Sequence, residues 1–342
     1  MNKPLRRAHR HAFSDPEIRE MSVGRSDSAI GKACFLGLKL FRLIRQRSDY
    51  AVEGGREADF GDSNKMANLT SPLPQNAAGK SDFLGHILAV EINDFLPSRG
   101  YQRRSRSRVI PNILHLLDHI DKHRAEGNFY ITPDVMKDFP EVVSLVHSRS
   151  HEIGLCLDFR DFHCPGSIGK YRDELRTITH KDNCGACLKG GYREGRHWLR
   201  QLAEDDFRYC LTSFHIGPDN LGSTPENISF GNNQTIYVVP PSAYRFFGMN
   251  SRFGEAGRIR LFPYWFLRRC MRHFTRAEIP ALVNFPLWEF DPHLPRRALN
   301  PLQALKSYAN LSLAEFKLTR LILDFDFVKV TRILGLEAPE KV

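Results

Sequence analysis

Between residues 86 and 157, apolar runs too short for helices alternate with segments of helical period, and that alternation confines the chain to few folds. His86-Ile87-Leu88-Ala89-Val90-Glu91 is a short apolar run ending in an acid, the pattern of a buried strand. Ile110, Ile113, Leu114, Leu117 and Ile120 place one apolar face on a helix from Val109 to His123. Phe129-Tyr130-Ile131, bounded by Gly127 and Pro133, reads as a strand, Glu141 to Ser148 as a helix, and Ile153 to Leu157 as a strand. Strand and helix in this rhythm imply parallel strands with crossover helices, an α/β layer or barrel. Reactive groups in such folds sit at the C-terminal ends of strands. Glu91 and Cys156 hold that position.

The pattern continues with helices at Tyr171 to Thr179 and Trp198 to Glu204. Strands follow at Thr235 to Val239, ended by Pro240 and Pro241, and at Ala281 to Phe285, ended by Pro286. Ser312 and Glu315 have the spacing of a capping box opening a helix through Leu323. The barrel domain is expected over residues 83–338.

Residues 1–82 have a different character, that of a basic, partly disordered extension. Residues 1–28 are polar and basic, and 48–82 have linker composition, with Pro72 and Pro74 near the end. Between them Cys34, Phe35, Leu38, Phe41 and Ile44 recur at helical spacing with Lys39, Arg42 and Arg45 interposed, which predicts a basic amphipathic helix near 29–47. Such a helix suits an anionic membrane surface, the main domain or a protein partner. A net charge of +10 points the same way, to anionic lipid or an acidic glycan. Aromatics do not interleave with the basic residues, so nucleic acid is not expected. No apolar run reaches the roughly 18 residues that span a bilayer, and no apolar stretch follows Met1 to Arg7. The expectation is a cytoplasmic protein, peripheral to the membrane if residues 29–47 lie on it. The sequons at Asn68, Asn227, Asn233 and Asn310 matter only in a secretory compartment.

Cys184-Gly185-Ala186-Cys187 is a lone C-x-x-C, compatible with zinc if His163, Cys164 or His180 joins it, or with a loop of reduced thiols. His115, His119 and His123, spaced by four, read as the solvated edge of their helix rather than a metal stripe. Arginines at 103, 104, 106 and 108 are expected on a loop near the barrel mouth.

Several stretches, in order, carry a resemblance. They are Ser107-Arg108-Val109 leading into the Leu-rich helix, Phe129-Tyr130-Ile131, Phe139-Pro140-Glu141-Val142-Val143 and His151-Glu152-Ile153-Gly154. Gly191-Tyr192-Arg193, Phe207-Arg208-Tyr209 and the Gly254 to Pro263 turn follow. Trp288-Glu289-Phe290-Asp291-Pro292-His293-Leu294-Pro295-Arg296 is the most specific. Together they resemble the polysaccharide deacetylase family, in the branch found with bacterial exopolysaccharide biosynthesis. The resemblance implies a distorted (β/α) barrel. It also implies a metal site in which one carboxylate and two histidines hold zinc, a second carboxylate activates water, and a late histidine protonates the leaving amine.

Matched position by position, this chain departs from that pattern. The base position falls on Glu91 and the carboxylate ligand on the neutral Asn93. The histidine ligands fall on Cys156 and Arg160, and arginine has no lone pair to give. An Asp of the family is replaced by Cys210, and the late histidine falls on Pro286. Arg193, which orients the base in active members, is kept. The resemblance therefore implies a degenerate member with no metal or other cofactor expected, its partner a glycan or a polysaccharide-assembly protein. His151, Tyr192, Trp288, Glu289 and Asp291 are the candidate ligand-binding residues. Two alternatives stay open. One is an active zinc deacetylase with a ligand set rebuilt from nearby residues such as Asp158, Asp161 or His163. The other is an interaction platform docked through its N-terminal helix. Arg160 is expected to place its guanidinium in the vacated metal position, against Glu91 or Asp94.

Overall fold

Each short apolar run becomes a strand, and each helical period a helix laid over it. The structure, a computed structural model, describes residues 70–72, 83–95, 107–158, 168–180, 185–190, 192–214, 224–231, 234–246, 249–255, 257–294, 304 and 307–337. The predicted helix at 29–47 and the basic loop at 103–106 lie outside them. The strands are β1 (Thr70–Pro72), β2 (Ile87–Ile92), β3 (Asn128–Ile131), β4 (Glu152–Asp158), β5 (Gly185–Lys189), β6 (Tyr209–Thr212), β7 (Glu226–Ser229), β8 (Thr235–Val239), β9 (Ala243–Phe246), β10 (Met249–Arg252) and β11 (Leu282–Pro286). The helices are α1 (Val109–Lys122), α2 (Pro133–Asp138), α3 (Glu141–Ser148), α4 (Ile168–Thr179), α5 (Tyr192–Glu204), α6 (Arg258–Leu261), α7 (Tyr264–Arg276), α8 (Ala314–Asp324) and α9 (Val330–Ile333).

Nine strands form one curled sheet in the order β1-β7-β8-β6-β5-β4-β3-β2-β11. From β8 to β11 every neighbour is parallel, whereas β7 runs antiparallel to β8 and to β1. Strand parity then divides the residues. Leu88, Val90, Phe129, Ile131, Leu155 and Leu157 join the core under the helices. Ile87, Ala89, Tyr130, Cys156, Cys187, Tyr209 and Leu282 line the inner face, joined there by Val330 and Leu334. Full burial of Ile87, Leu88, Val90 and Ile92 on β2 stabilises by roughly 1.5–3 kcal/mol for each side chain.

The inner face is narrow where β4 meets β5. A Cβ on Gly154 would lie 2.3 Å from the Gly185 carbonyl oxygen, and one on Gly185 would lie 1.9 Å from the Tyr209 ring. The Gly that ends His-Glu-Ile-Gly is thus required by strand approach. Tyr130 and Tyr209 fill the space, their hydroxyls 3.4 Å apart, and Tyr209 reaches Glu152 at 3.4 Å. Beneath them, Thr331 donates to the Glu152 carboxylate at 3.0 Å, and the Val330 amide donates to Asn128 Oδ1 at 2.8 Å. The C-terminal segment closes the N-terminal end of the barrel.

Two expected features take another form. Ser312 lies in a 3-10 turn, Leu311–Leu313, and α8 begins at Ala314 with no side-chain cap, so the capping box does not form. The helix expected from Trp198 begins six residues earlier, at Tyr192. His119 is less solvated than its spacing suggested, because α8 packs on that edge: its ring bonds Thr319 Oγ1 at 2.9 Å and lies 5.6 Å from Phe290.

His86 locks β2 to its surroundings. Its Nδ1 accepts from the Ala281 amide at 3.1 Å, and its Nε2 meets Thr275 Oγ1 at 2.9 Å while that hydroxyl donates to Met271 O. A proton on Nδ1 would oppose the Ala281 N–H, and burial pushes the pKa down from 6.5 to about 4. The unfolded chain therefore binds more protons between these values, and stability falls as pH drops through that window. The loss reaches about 3 kcal/mol when complete. Urea titrations at pH 7 and pH 4 should show His86→Gln losing less over that interval than the parent; equal losses would refute the assignment.

Candidate functional site

At the C-terminal ends of the strands, parity brings a polar cluster onto the inner face. Glu91 is the fifth residue of β2 and aligns with Pro286 of β11 on one side and Tyr130 of β3 on the other. Cys156 of β4 aligns with Cys187 of β5, and Lys189 follows two residues on, with its side chain on the same face. One carboxylate oxygen of Glu91 and the two sulfurs lie within 4.8 Å of one another. Lys189 Nζ forms an ion pair with Glu91 Oε2, and Asn284 Nδ2 donates to Glu91 Oε1 at 2.9 Å. The Glu91 side chain is 6% exposed and that of Lys189 is 30%. The cation thus closes the solvent side of the cluster.

Burial opposes the charge of Lys189, but the neighbouring Cys156 sulfur and Glu91 carboxylate outweigh it and hold the ammonium above the usual lysine range. Cys187 is pushed well above the usual thiol range by its hydrogen bond with Cys156, by burial and by the nearby negative groups. Cys210, on the other face of β6, is raised chiefly by burial. Neither Cys187 nor Cys210 is an activated thiolate. Oδ1 of Asn284, beside the carboxylate, is buried without a donor among the described residues, as is Oδ1 of Asn93 just beyond β2.

Glu91, Cys156 and Cys187 are donor types that zinc accepts. The arrangement nonetheless does not fit a resident metal. An ammonium already neutralises the carboxylate, a dication placed among the donors would face it at close range, and the protonated Cys187 is a poor ligand.

The expected site residues divide into two regions. Glu91, Cys156 and Pro286 stand at this end of the sheet, and Asn93 adjoins it. Tyr192 and Arg193 open α5 immediately after the β5 end. Arg160 lies outside the described residues; Lys189 supplies the cation that pairs with Glu91. His151 precedes β4, at the opposite end, where its Nδ1 accepts from Gly127 N at 3.3 Å and its Nε2 meets Asp121 at 3.1 Å. Burial lowers its pKa.

The Trp-Glu-x-Asp stretch is a clamp. Glu289, 3% exposed, pairs with Arg260, 1% exposed, at 3.1 Å, and accepts the Gly257 amide at 3.0 Å. Asp291 pairs with Arg108 and accepts from Asn112 at 3.2 Å and from the His293 amide at 2.9 Å. Trp288 lies 5.7 Å from the Arg260 guanidinium and 5.1 Å from Phe95. Each carboxylate is turned inward onto an arginine. Lys317, also buried, donates to the Arg260 and Phe262 carbonyls at the end of α6, and burial lowers its pKa to about 8.

Lys189 and Asn284 were not singled out in the sequence, although both interrupt apolar runs at inner-face positions. The C-x-x-C drew attention from the strand that it begins: Cys187 is in β5, and Cys184, His163 and Cys164 lie outside the described residues.

A curled, mainly parallel sheet with a polar cluster at its C-terminal strand ends is the architecture of a (β/α)-barrel hydrolase fold. A protein described as a polysaccharide deacetylase from Mycobacterium smegmatis superposes with a TM-score of 0.51 at 13% identity, over 78% of this chain and 94% of that one. A polysaccharide deacetylase so described from Pseudomonas aeruginosa PAO1 gives 0.43 at 14%, over 70% and 76%. An allantoinase gives 0.48 at 11%, over 82% and 97%. The family described as a domain of unknown function, DUF3473, matches residues 209–335, which include the Arg260–Glu289 clamp. Among curated proteins none matches in sequence. The fold is that of the polysaccharide deacetylases.

Proposed function

We propose that this barrel is a non-catalytic member of the deacetylase-like fold, a glycan-binding or assembly component of exopolysaccharide metabolism. The observation that carries the reading is the Lys189 ammonium on the Glu91 carboxylate, with Asn284 on its other oxygen. A base so engaged has no free oxygen to take a proton from water. Asn93, Pro286 and the thiol of Cys187 leave the remaining roles of the resembled chemistry unfilled. The buried, donor-free oxygen of Asn284 supports binding by a group that brings its own O–H or N–H, as a sugar hydroxyl or acetamide does.

The second reading, a deacetylase with an atypical zinc site, is favoured by the three donors within 4.8 Å. Metal analysis by mass spectrometry, after zinc addition and desalting, separates the two. We expect no stoichiometric zinc, no acetate release from N-acetylated oligosaccharides, and binding of such oligosaccharides that Asn284→Ala weakens about tenfold. Stoichiometric zinc lost in Cys156→Ala, together with acetate release, would establish the hydrolase. Absence of glycan binding altogether would favour the interaction-platform reading.

A further inference from the structure

The outer surface carries a second feature, remote in chemistry from the cluster at the strand ends. Of the large apolar side chains exposed among the described residues, four belong to α7, to α8 or to the 3-10 turn leading into α8. They are Trp265 at 57%, Leu313 at 43%, Phe316 at 48% and Leu323 at 58%. Leu313, Phe316, Arg320 and Leu323 follow one another at intervals of three and four, a stripe along one side of α8. On α7 the exposed or half-buried stripe is Trp265, Arg268, Arg269, Arg272 and Arg276, while Phe266, Leu267, Cys270, Met271 and Phe274 face inward.

The two helices are joined along a seam. The Tyr264 hydroxyl donates to Asp324 at 2.7 Å and lies 2.9 Å from the Arg320 carbonyl oxygen, and Arg268 pairs with Asp324 at 2.7 Å. The Arg320 guanidinium covers the Phe316 ring at 5.5 Å. Beyond the seam, no carboxylate pairs with Arg269, Arg272 or Arg276 among the described residues, and Arg269 reaches only the Tyr244 hydroxyl at 3.4 Å. The surface therefore combines protruding apolar side chains with unneutralised guanidinium groups.

We infer that this face of α7 and α8 docks on an anionic lipid bilayer. Charge complementarity favours an anionic partner and disfavours a second copy of the same basic face. The chemistry of the stripe then selects a bilayer. A tryptophan at the start of the helix with Leu and Phe beside it suits shallow insertion at the headgroup boundary, with arginines left at the level of the phosphates. Docking there involves neither Glu91 nor Asn284, so it is independent of what the barrel mouth binds.

The test uses the full chain and vesicles of phosphatidylglycerol and phosphatidylcholine, with residues 1–82 unchanged in every variant. The parent should sediment with anionic vesicles and not with phosphatidylcholine alone, and salt should weaken the association. Arg269→Gln with Arg272→Gln should lower the affinity about tenfold or more. Vesicles with brominated acyl chains should quench the fluorescence of the parent, and Trp265→Phe should abolish that quenching, since Trp198 and Trp288 are half-buried. These are surface substitutions, and circular dichroism confirms the fold of each. Unchanged sedimentation in the arginine variant would overturn the inference and assign any vesicle binding to the N-terminal extension. Quenching that survives in Trp265→Phe would overturn the insertion geometry.

Discussion

Replacing Glu289 with glutamine should lower the unfolding free energy by about 3–5 kcal/mol, because it leaves a buried guanidinium without its counter-charge. Arg260 is 1% exposed, and its remaining partners are the Ala309 carbonyl oxygen at 2.6 Å and the Ser307 carbonyl oxygen at 3.4 Å. Glutamine keeps the volume and one acceptor, so cavity formation adds little, and the loss reports the charge. Urea denaturation of Glu289→Gln, Arg260→Met and the double variant measures the coupling. The double variant should be less destabilised than the sum of the two single ones, since removing both charges leaves none stranded. Strict additivity would mean that the pair contributes nothing as a pair. The same geometry explains why the most family-specific stretch of the sequence lies where a binding site is not expected: its carboxylates organise the Gly254 to Pro263 turn and the entry into α1.

Lys189→Met should have the second large effect, and it should be visible in two ways. Without the ammonium, Glu91 stays buried with only the Asn284 amide, at a cost of about 3 kcal/mol, the lower end of the range for a broken buried pair, because the Lys189 side chain is 30% exposed. Second, removing the cation leaves Glu91, Cys156 and Cys187 free to take a metal. Zinc should therefore raise the melting temperature of Lys189→Met by several degrees while leaving the parent unmoved, since a ligand that binds only the folded state stabilises it. A parent that responds to zinc as strongly as the variant would show that Lys189 does not guard the site.

The sheet was legible in the sequence where a strand is buried on both faces. The runs at 86–91, 129–131, 153–157, 235–239 and 281–285 all became strands, because parallel strands under helices need apolar residues without interruption. β5 escaped notice because Gly185-Ala186-Cys187-Leu188-Lys189 is short and opens on glycine, small residues there being demanded by the Tyr209 ring across the barrel. α7 escaped for a different reason: Tyr264–Arg276 has its arginines on the solvent side and few apolar residues in succession. At the site, the sequence showed which expected side chains were missing and did not show what replaced them. The replacement comes from β5 and β11, distant in sequence and adjacent only through the sheet order. Glu91 lies almost a hundred residues before Lys189 and nearly two hundred before Asn284, and no local pattern relates them.

β2 is the first of the parallel strands to leave the ribosome and one of the last to be satisfied. One of its flanks pairs with β11 at Leu282–Pro286, and His86 bonds the backbone at Asp326 and Val328. The floor of the barrel waits longer, for Val330 and Thr331 to reach Asn128 and Glu152. Vectorial synthesis thus exposes an unpaired hydrophobic strand until almost the whole polypeptide has emerged, and contacts this far apart make for slow closure. The nascent chain has an extended period in which β2 must be shielded, so the yield of native protein in a cell depends on chaperone protection as much as on the stability of the finished barrel.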